Sequence, residues 1–151
     1  MITLDCNVLL IYLIGNYYPD YLSKFKRTAI YSFEYFQVLL EILNGKELII
    51  STSILTEASD LLESLKHHNE KIGLFALKKL IENVDEDNTS AKKLVLNSSF
   101  EQFGLADASI EELCENGYTA ITVDFLLYGY LANKGYHVIN LNHYWNAKIK
   151  S

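Results

Sequence analysis

Four acidic residues of this 151-residue chain stand where solubility alone does not explain a carboxylate: Asp5, Glu57, Asp107 and Asp124. Asp5 lies inside Ile-Thr-Leu-Asp-Cys-Asn-Val-Leu-Leu, and a charge in so apolar a run is rarely buried without a partner. Carboxylates brought together raise one another's pKa and oppose folding, a cost that a bound cation removes. Hard oxygen ligands select magnesium or manganese over zinc. Such ions deprotonate a water and clamp a phosphate, so the chemistry to expect is hydrolysis of a phosphodiester bond. Two further residues could support the acids. Thr122 is two residues before Asp124 on one strand and shares its face, and Asn7, two after Asp5, could orient it through an amide hydrogen bond.

Each residue also has a structural reading. Asp124 can cap a helix starting at Phe125, Asp107 can be a first-turn acid answering the helix dipole, and Asn7 can be a turn residue. Glu57 is harder to explain. The cap candidates Thr52 and Ser53 would take their capping-box partner at Leu55 or Thr56, so Glu57 is not a box residue.

The elements that must position these acids follow from periodicity. Met1 to Asp5, Glu47 to Ser51, Thr119 to Val123 and His137 to Leu141 have the short apolar, β-branched character of buried parallel strands, with turn signals at Asn44-Gly45, Gly117 and Gly135. Helical spacing marks Tyr21 to Leu43, Ile54 to Lys66, Lys71 to Glu82, Ser90 to Phe103, Asp107 to Glu115 and Phe125 to Asn133. The polar stretch Asn83 to Ser90 is expected to be a loop ending in a helix cap. Strands alternating with helices imply an α/β fold, a parallel sheet covered on both faces, in one domain spanning residues 1–151. In such sheets ligands bind beyond the carboxyl ends of the strands, the end toward which all four acids point.

Composition narrows the classes further. Half the residues are hydrophobic and a fifth are charged, with one proline and seven glycines, which fits neither a disordered nor a fibrous chain. The apolar run from Val8 to Ile14 has no preceding Lys or Arg and ends at Gly15-Asn16, so neither a signal peptide nor a membrane span is expected. Cys6 and Cys114 are far apart without a Cys-x-x-Cys spacing, which points to reduced thiols and a cytoplasmic setting. The net charge of −6 runs against nucleic-acid binding. Setting the four candidate acids aside leaves 13 basic residues against 15 acidic ones, a balance of −2, so most of the acidity could belong to the site.

Taken together, these segments resemble the PIN domain family of metal-dependent nucleases. Leu-Asp-Cys-Asn-Val-Leu-Leu looks like the family's opening Asp-x-Asn motif, with Asp5 and Asn7, and Ser-Ile-Leu-Thr-Glu carries its second acid at Glu57. Phe-Gly-Leu-Ala-Asp-Ala-Ser-Ile is similar to the motif of the third acid, Asp107, and Ile-Thr-Val-Asp-Phe to that of the fourth, Asp124. The resemblance implies a three-layer α/β/α sandwich with a mostly parallel sheet of four or five strands. It also implies an Mg2+- or Mn2+-dependent endonuclease acting on RNA, with Asp5, Asp107 and Asp124 on the ion and Glu57 acting through a water. A non-catalytic scaffold of the same fold, binding a protein or an RNA, is the alternative. Some family members are toxins held by an antitoxin, so an antitoxin-like protein is a partner that the resemblance allows. Three features depart from the family's pattern. The span from Asp5 to Glu57 is longer than in compact toxin-type members, Phe125 and Leu126 rather than an acid follow Asp124, and Arg27 is the sole arginine.

Lys24, Lys26 and Arg27 follow Tyr17, Tyr18 and Tyr21, a mixture that suits single-stranded nucleic acid, although tyrosines are more often packing residues. His67-His68 is expected in solvent. Phe33, Phe36, Leu39, Leu40 and Leu43 form one helical stripe, either core or the face of a homodimer.

Overall fold

Short strands suffice here because helices cover both faces. The computed structural model describes residues 1–150 and contains the strands β1 (Ile2–Leu4), β2 (Ile49–Ser51), β3 (Asp85–Asp87), β4 (Thr119–Thr122) and β5 (Val138–Asn140). Strands β1, β4 and β5 form a parallel sheet in that order, with Ile2 opposite Thr119 and Thr122 opposite Asn140. Strands β2 and β3 form a second parallel pair, with Ile49 opposite Asp85. The two sheets meet edge to edge at a single parallel bridge between Ile2 and Leu48, where the Ile2 N–H donates to the Glu47 carbonyl at 2.9 Å. The sheet of four or five strands expected above is therefore a three-stranded and a two-stranded sheet joined by a narrow seam.

The helices are α1 (Cys6–Tyr17), α2 (Phe33–Leu43), α3 (Thr52–Leu62), α4 (Ile72–Ile81), α5 (Ala91–Leu94), α6 (Ser99–Phe103), α7 (Leu105–Glu115), α8 (Phe125–Asn133) and α9 (Leu141–Ile149), with a 3₁₀ turn at Pro19–Tyr21. All three residues of β1 are buried, whichever way they point, so both faces of this strand are covered. Helices α1 and α7 each lie against β1 and β4, and the fold is a three-layer α/β/α arrangement.

Five elements differ from the sequence expectation. The helix expected from Tyr21 to Leu43 starts only at Phe33, where the Ser32 hydroxyl caps it by accepting from the Tyr35 N–H at 3.1 Å. Upstream, residues 22–31 wind through turns fastened by the buried Thr28, whose hydroxyl donates to the Leu22 carbonyl at 2.8 Å. The helix expected from Ser90 to Phe103 splits into α5 and α6. The stretch expected as a loop, Asn83 to Ser90, contributes β3, which pairs with β2 on one side only. Helices α1 and α9 were not anticipated from periodicity. Between Asn7 and Asn16, helix α1 is apolar all round and packs against α2, α3 and α4, so no polar stripe marks it as a helix.

Close contacts lock the helices. Gly15 in α1 lets α2 approach so closely that a Cβ there would lie 2.3 Å from the Phe36 ring. Helix α9 docks on α2 through Tyr35, whose hydroxyl donates to Asn142 Oδ1 at 2.6 Å, and through Lys148 to Glu41 at 2.6 Å. Two buried glutamates of α7 hold the α5–α6 segment. Glu111 accepts from the Ser99 hydroxyl at 3.1 Å, and Glu112 pairs with Lys93 at 2.9 Å. Of the stripe on α2, Phe36, Leu39 and Leu43 are buried in the core, while Phe33 and Leu40 are exposed. Among the described residues, no helix is long and apolar enough to cross a membrane.

Candidate functional site

Each candidate acid lies where a strand ends or a helix begins, and the backbone geometry there explains its position. Asp5 directly follows β1 and is the N-cap of α1, its Oδ1 accepting from the Val8 N–H at 3.0 Å. Asp124 follows β4 by two residues and caps α8, accepting from the Leu126 and Leu127 N–H groups at 2.9 and 3.0 Å. Its structural reading is thus correct, and Asp5 proves to be a cap as well. Asp107 lies in the first turn of α7, and Glu57 lies in the second turn of α3. The cap of α3 is Ser51 rather than Thr52 or Ser53, with its hydroxyl accepting from the Ile54 N–H at 3.1 Å, which leaves Glu57 outside any capping box.

The electrostatics connect all four. Burial is the main cause that pushes the Asp107 carboxyl up to about 7, and the negative charges of Asp5, Asp124 and Glu57 push in the same direction. Asp5 is raised to about 6, chiefly by burial, with a smaller push from Asp124 and an opposing pull from its hydrogen bonds to Thr122, Val8 and Val123. No Lys, Arg or His among the described residues forms an ion pair with any of the four. The acids repel one another, with hydrogen bonds offsetting part of the repulsion at Asp5 and Asp124. They do not form a ready-made coordination shell, because no group of three or more His, Cys, Asp or Glu among the described residues is arranged to hold one metal ion. Asp107 and Glu57 make no side-chain hydrogen bond there, so their oxygens are uncommitted.

Thr122 occupies the supporting position that the strand period implied. Its hydroxyl donates to Asp5 Oδ2 and accepts from the Asp124 N–H at 2.9 Å, so one side chain ties the first acid to the backbone of the fourth. Asn7 does not play the expected part. It is exposed at the start of α1, and Asp5 is held by Val8, Val123 and Thr122 instead.

Two features escaped the sequence. Ser51 and Ser109 hydroxyls meet at 2.6 Å, joining the end of β2 to the helix that carries Asp107. Ser109 donates to the Ala106 carbonyl, so its single proton is committed and Ser51 is the donor between the two. A serine at a strand end before a helical run was the one visible signal; its partner, 58 residues away, had none. Cys6 is buried against the acids, and burial together with Glu57 and Asp5 pushes its thiol up to about 12, so it stays protonated and unreactive.

The basic cluster is divided. Arg27 lies close enough to Cys6 for its charge to oppose that rise, whereas the Lys24 ammonium stands 5.3 Å from the centre of the Tyr21 ring. His67 and His68 are exposed as expected, but His67 Nδ1 shares a 2.5 Å hydrogen bond with the Tyr21 hydroxyl. A depression of about 580 Å³ lies at the other end of the strands, beside Met1, Leu48 and Asp85. A second cleft, of about 510 Å³, opens beside Glu57 at the carboxyl end. Compared with protein-family models, curated proteins and solved structures, the chain matches none.

Proposed function

We propose that the acidic end of the sheet binds Mg2+ or Mn2+ and hydrolyses phosphodiester bonds in RNA, as a nuclease resembling the PIN domain family. One observation carries this reading: a half-buried Asp107, with no cation beside it, faces the charges of Asp5, Asp124 and Glu57. Like charges held together in a folded chain call for a divalent counter-ion, and an all-carboxylate donor set suits a hard one.

Asp5, Asp107 and Asp124 would hold the ion, with Glu57 acting through a water. A bound ion supplies Lewis-acid stabilisation of the phosphate and lowers the pKa of an attacking water. The chain's own residues contribute position. The Val8 N–H and Thr122 hydroxyl fix Asp5, and the first amides of α8 fix Asp124, while Asp107 and Glu57 have free oxygens that can turn inward as an ion enters. Arg27 is a cation near this end that a substrate phosphate could use, since its charge reaches Cys6, next to Asp5.

The absence of a ready-made ligand group among the described residues favours a second reading, a scaffold of the same fold that binds RNA or protein without cutting. The test is incubation of a mixed RNA pool with manganese, with magnesium and with EDTA. Cleavage that needs the ion is the expected result. Cleavage that survives the chelator overturns the metal mechanism, and intact RNA under every condition assigns the domain to the scaffold reading.

A further inference from the structure

The cleft beside Glu57 lies between the first turns of α3, the loop after β3 and the start of α7. Three of its four hydroxyls have already committed their protons, and the fourth, Ser53, keeps its proton, as the Asn88 amide keeps its own. Thr52 Oγ1 donates to Glu86 Oε2 at 2.6 Å, Thr56 Oγ1 to the Thr52 carbonyl at 2.9 Å, and Thr89 Oγ1 to the Asp87 carboxylate at 3.0 Å. A hydroxyl has one proton, so what these three side chains can still offer a ligand is lone pairs. Glu57 and Asp60 add carboxylate oxygens that make no hydrogen bond or ion pair among the described residues. No Lys, Arg or His among them lines the cleft, while Leu105 and Ala106 give it an apolar wall.

Two carboxylates and three threonine oxygens outweigh the donors of Ser53 and Asn88, and with no cation beside them they repel a phosphate and favour a neutral, flat ligand that brings donors. Adenine, cytosine and guanine each carry an exocyclic amino group that a carboxylate accepts well. Uracil has a single ring N–H between two carbonyls, and those carbonyls would face Asp60 and the threonine oxygens. We propose that this cleft is a base subsite, selecting an amino-bearing nucleobase beside the phosphate that is cut; the second half of this statement rests on the nuclease reading above.

The experiment is a titration of the full chain with adenosine, cytidine, guanosine and uridine, followed by the backbone amide resonances of Thr52, Thr56, Thr89 and Ala106. The three amino-bearing nucleosides should shift these resonances, with binding about fivefold weaker for uridine, the factor expected from one hydrogen bond. Asp60→Asn replaces one acceptor by a donor at an exposed position, and should bring the four nucleosides to within about twofold of one another. Equal response to uridine, or shifts that avoid these amides, overturns the proposal. A lysine-bearing peptide that shifts them at lower concentration than any nucleoside overturns it too, in favour of a protein partner. Nothing is cleaved in this titration, so it stands apart from the RNA-pool test. Nucleoside binding without cleavage removes the nuclease reading and keeps the base subsite, and cleavage without binding does the reverse.

Discussion

Asp5 has two roles that pull in opposite directions. As the N-cap of α1 it stabilises the fold, and as a buried charge facing Asp124 it opposes it. Asparagine separates the two, because it caps a helix about as well as aspartate: its Oδ1 still accepts from the Val8 N–H, and its amide, in place of Oδ2, can donate to the Thr122 hydroxyl oxygen. Asp5→Asn should therefore melt at an equal or higher temperature than the parent in EDTA, while ion-dependent cleavage falls by roughly 10²–10³-fold, the scale of losing one preorganised charge. A marked loss of stability would make Asp5 a structural residue. Thr3, two residues upstream, poses the opposite problem. It is fully buried, and its hydroxyl is the one buried side-chain polar atom among the described residues without a hydrogen-bond partner. Valine has nearly the same shape without the orphaned oxygen, so Thr3→Val should gain on the order of 1 kcal/mol in urea unfolding. A loss of that size would mean the hydroxyl is satisfied.

Among the elements, α1 and α2 depend on one missing side chain. Gly15→Ala would put a Cβ 2.3–2.5 Å from three atoms of the buried Phe36 ring, and overpacking of this kind costs about 1–3 kcal/mol. Thermal unfolding should show that loss, and Phe36→Leu in the same chain should recover part of it by giving the new methyl room; equal losses in single and double variants would place the strain elsewhere. The sequence revealed strands and acids better than helices, for physical reasons. Strand ends were legible at Asp5, Ser51 and Asp124 because buried parallel strands are short apolar runs that stop abruptly. Helix α1 was hidden by the burial of its middle, Val8 to Gly15, all buried but Tyr12, which removes the polar face that makes a period visible. Strand β3 was hidden for the converse reason, since Asp85-Glu86-Asp87 pairs on one edge only and Asp85 and Glu86 point to solvent. The site was legible as four acids and one threonine, whereas the Ser51–Ser109 link and the proton commitments of Thr52 and Thr89 depend on partners that no local pattern announces.

At the scale of the whole molecule, the acidic end should make stability in the absence of a divalent ion fall as pH rises. The folded chain holds protons on Asp5 up to about 6 and on Asp107 up to about 7, against an ordinary aspartate value of 3.8. Between those limits the folded state binds more protons than the unfolded one, so ΔG of unfolding decreases with pH through this window. Glu112, held low by Lys93, has the opposite sign, with stability lost as pH falls through its folded value. That keeps the useful window above about pH 5, clear of the ordinary carboxylate range. Lowering the pH from about 8 to about 5 in EDTA should raise Tm by ~3 °C, the shift that about 1 kcal/mol produces in a domain of this size. The net charge of −6 relaxes over the same range and acts in the same direction, so the parent alone cannot assign the effect to the site. The double variant Asp5→Asn/Asp107→Asn can, because it removes the two perturbed groups and leaves 17 of the 19 acidic residues in place. Its Tm should be nearly level between the two pH values, and the parent with magnesium present should level off as well, since an ion that compensates the carboxylates at high pH restores what their repulsion took away. A slope that survives in the double variant would trace the effect to overall charge and separate the four acids from any shared electrostatic site.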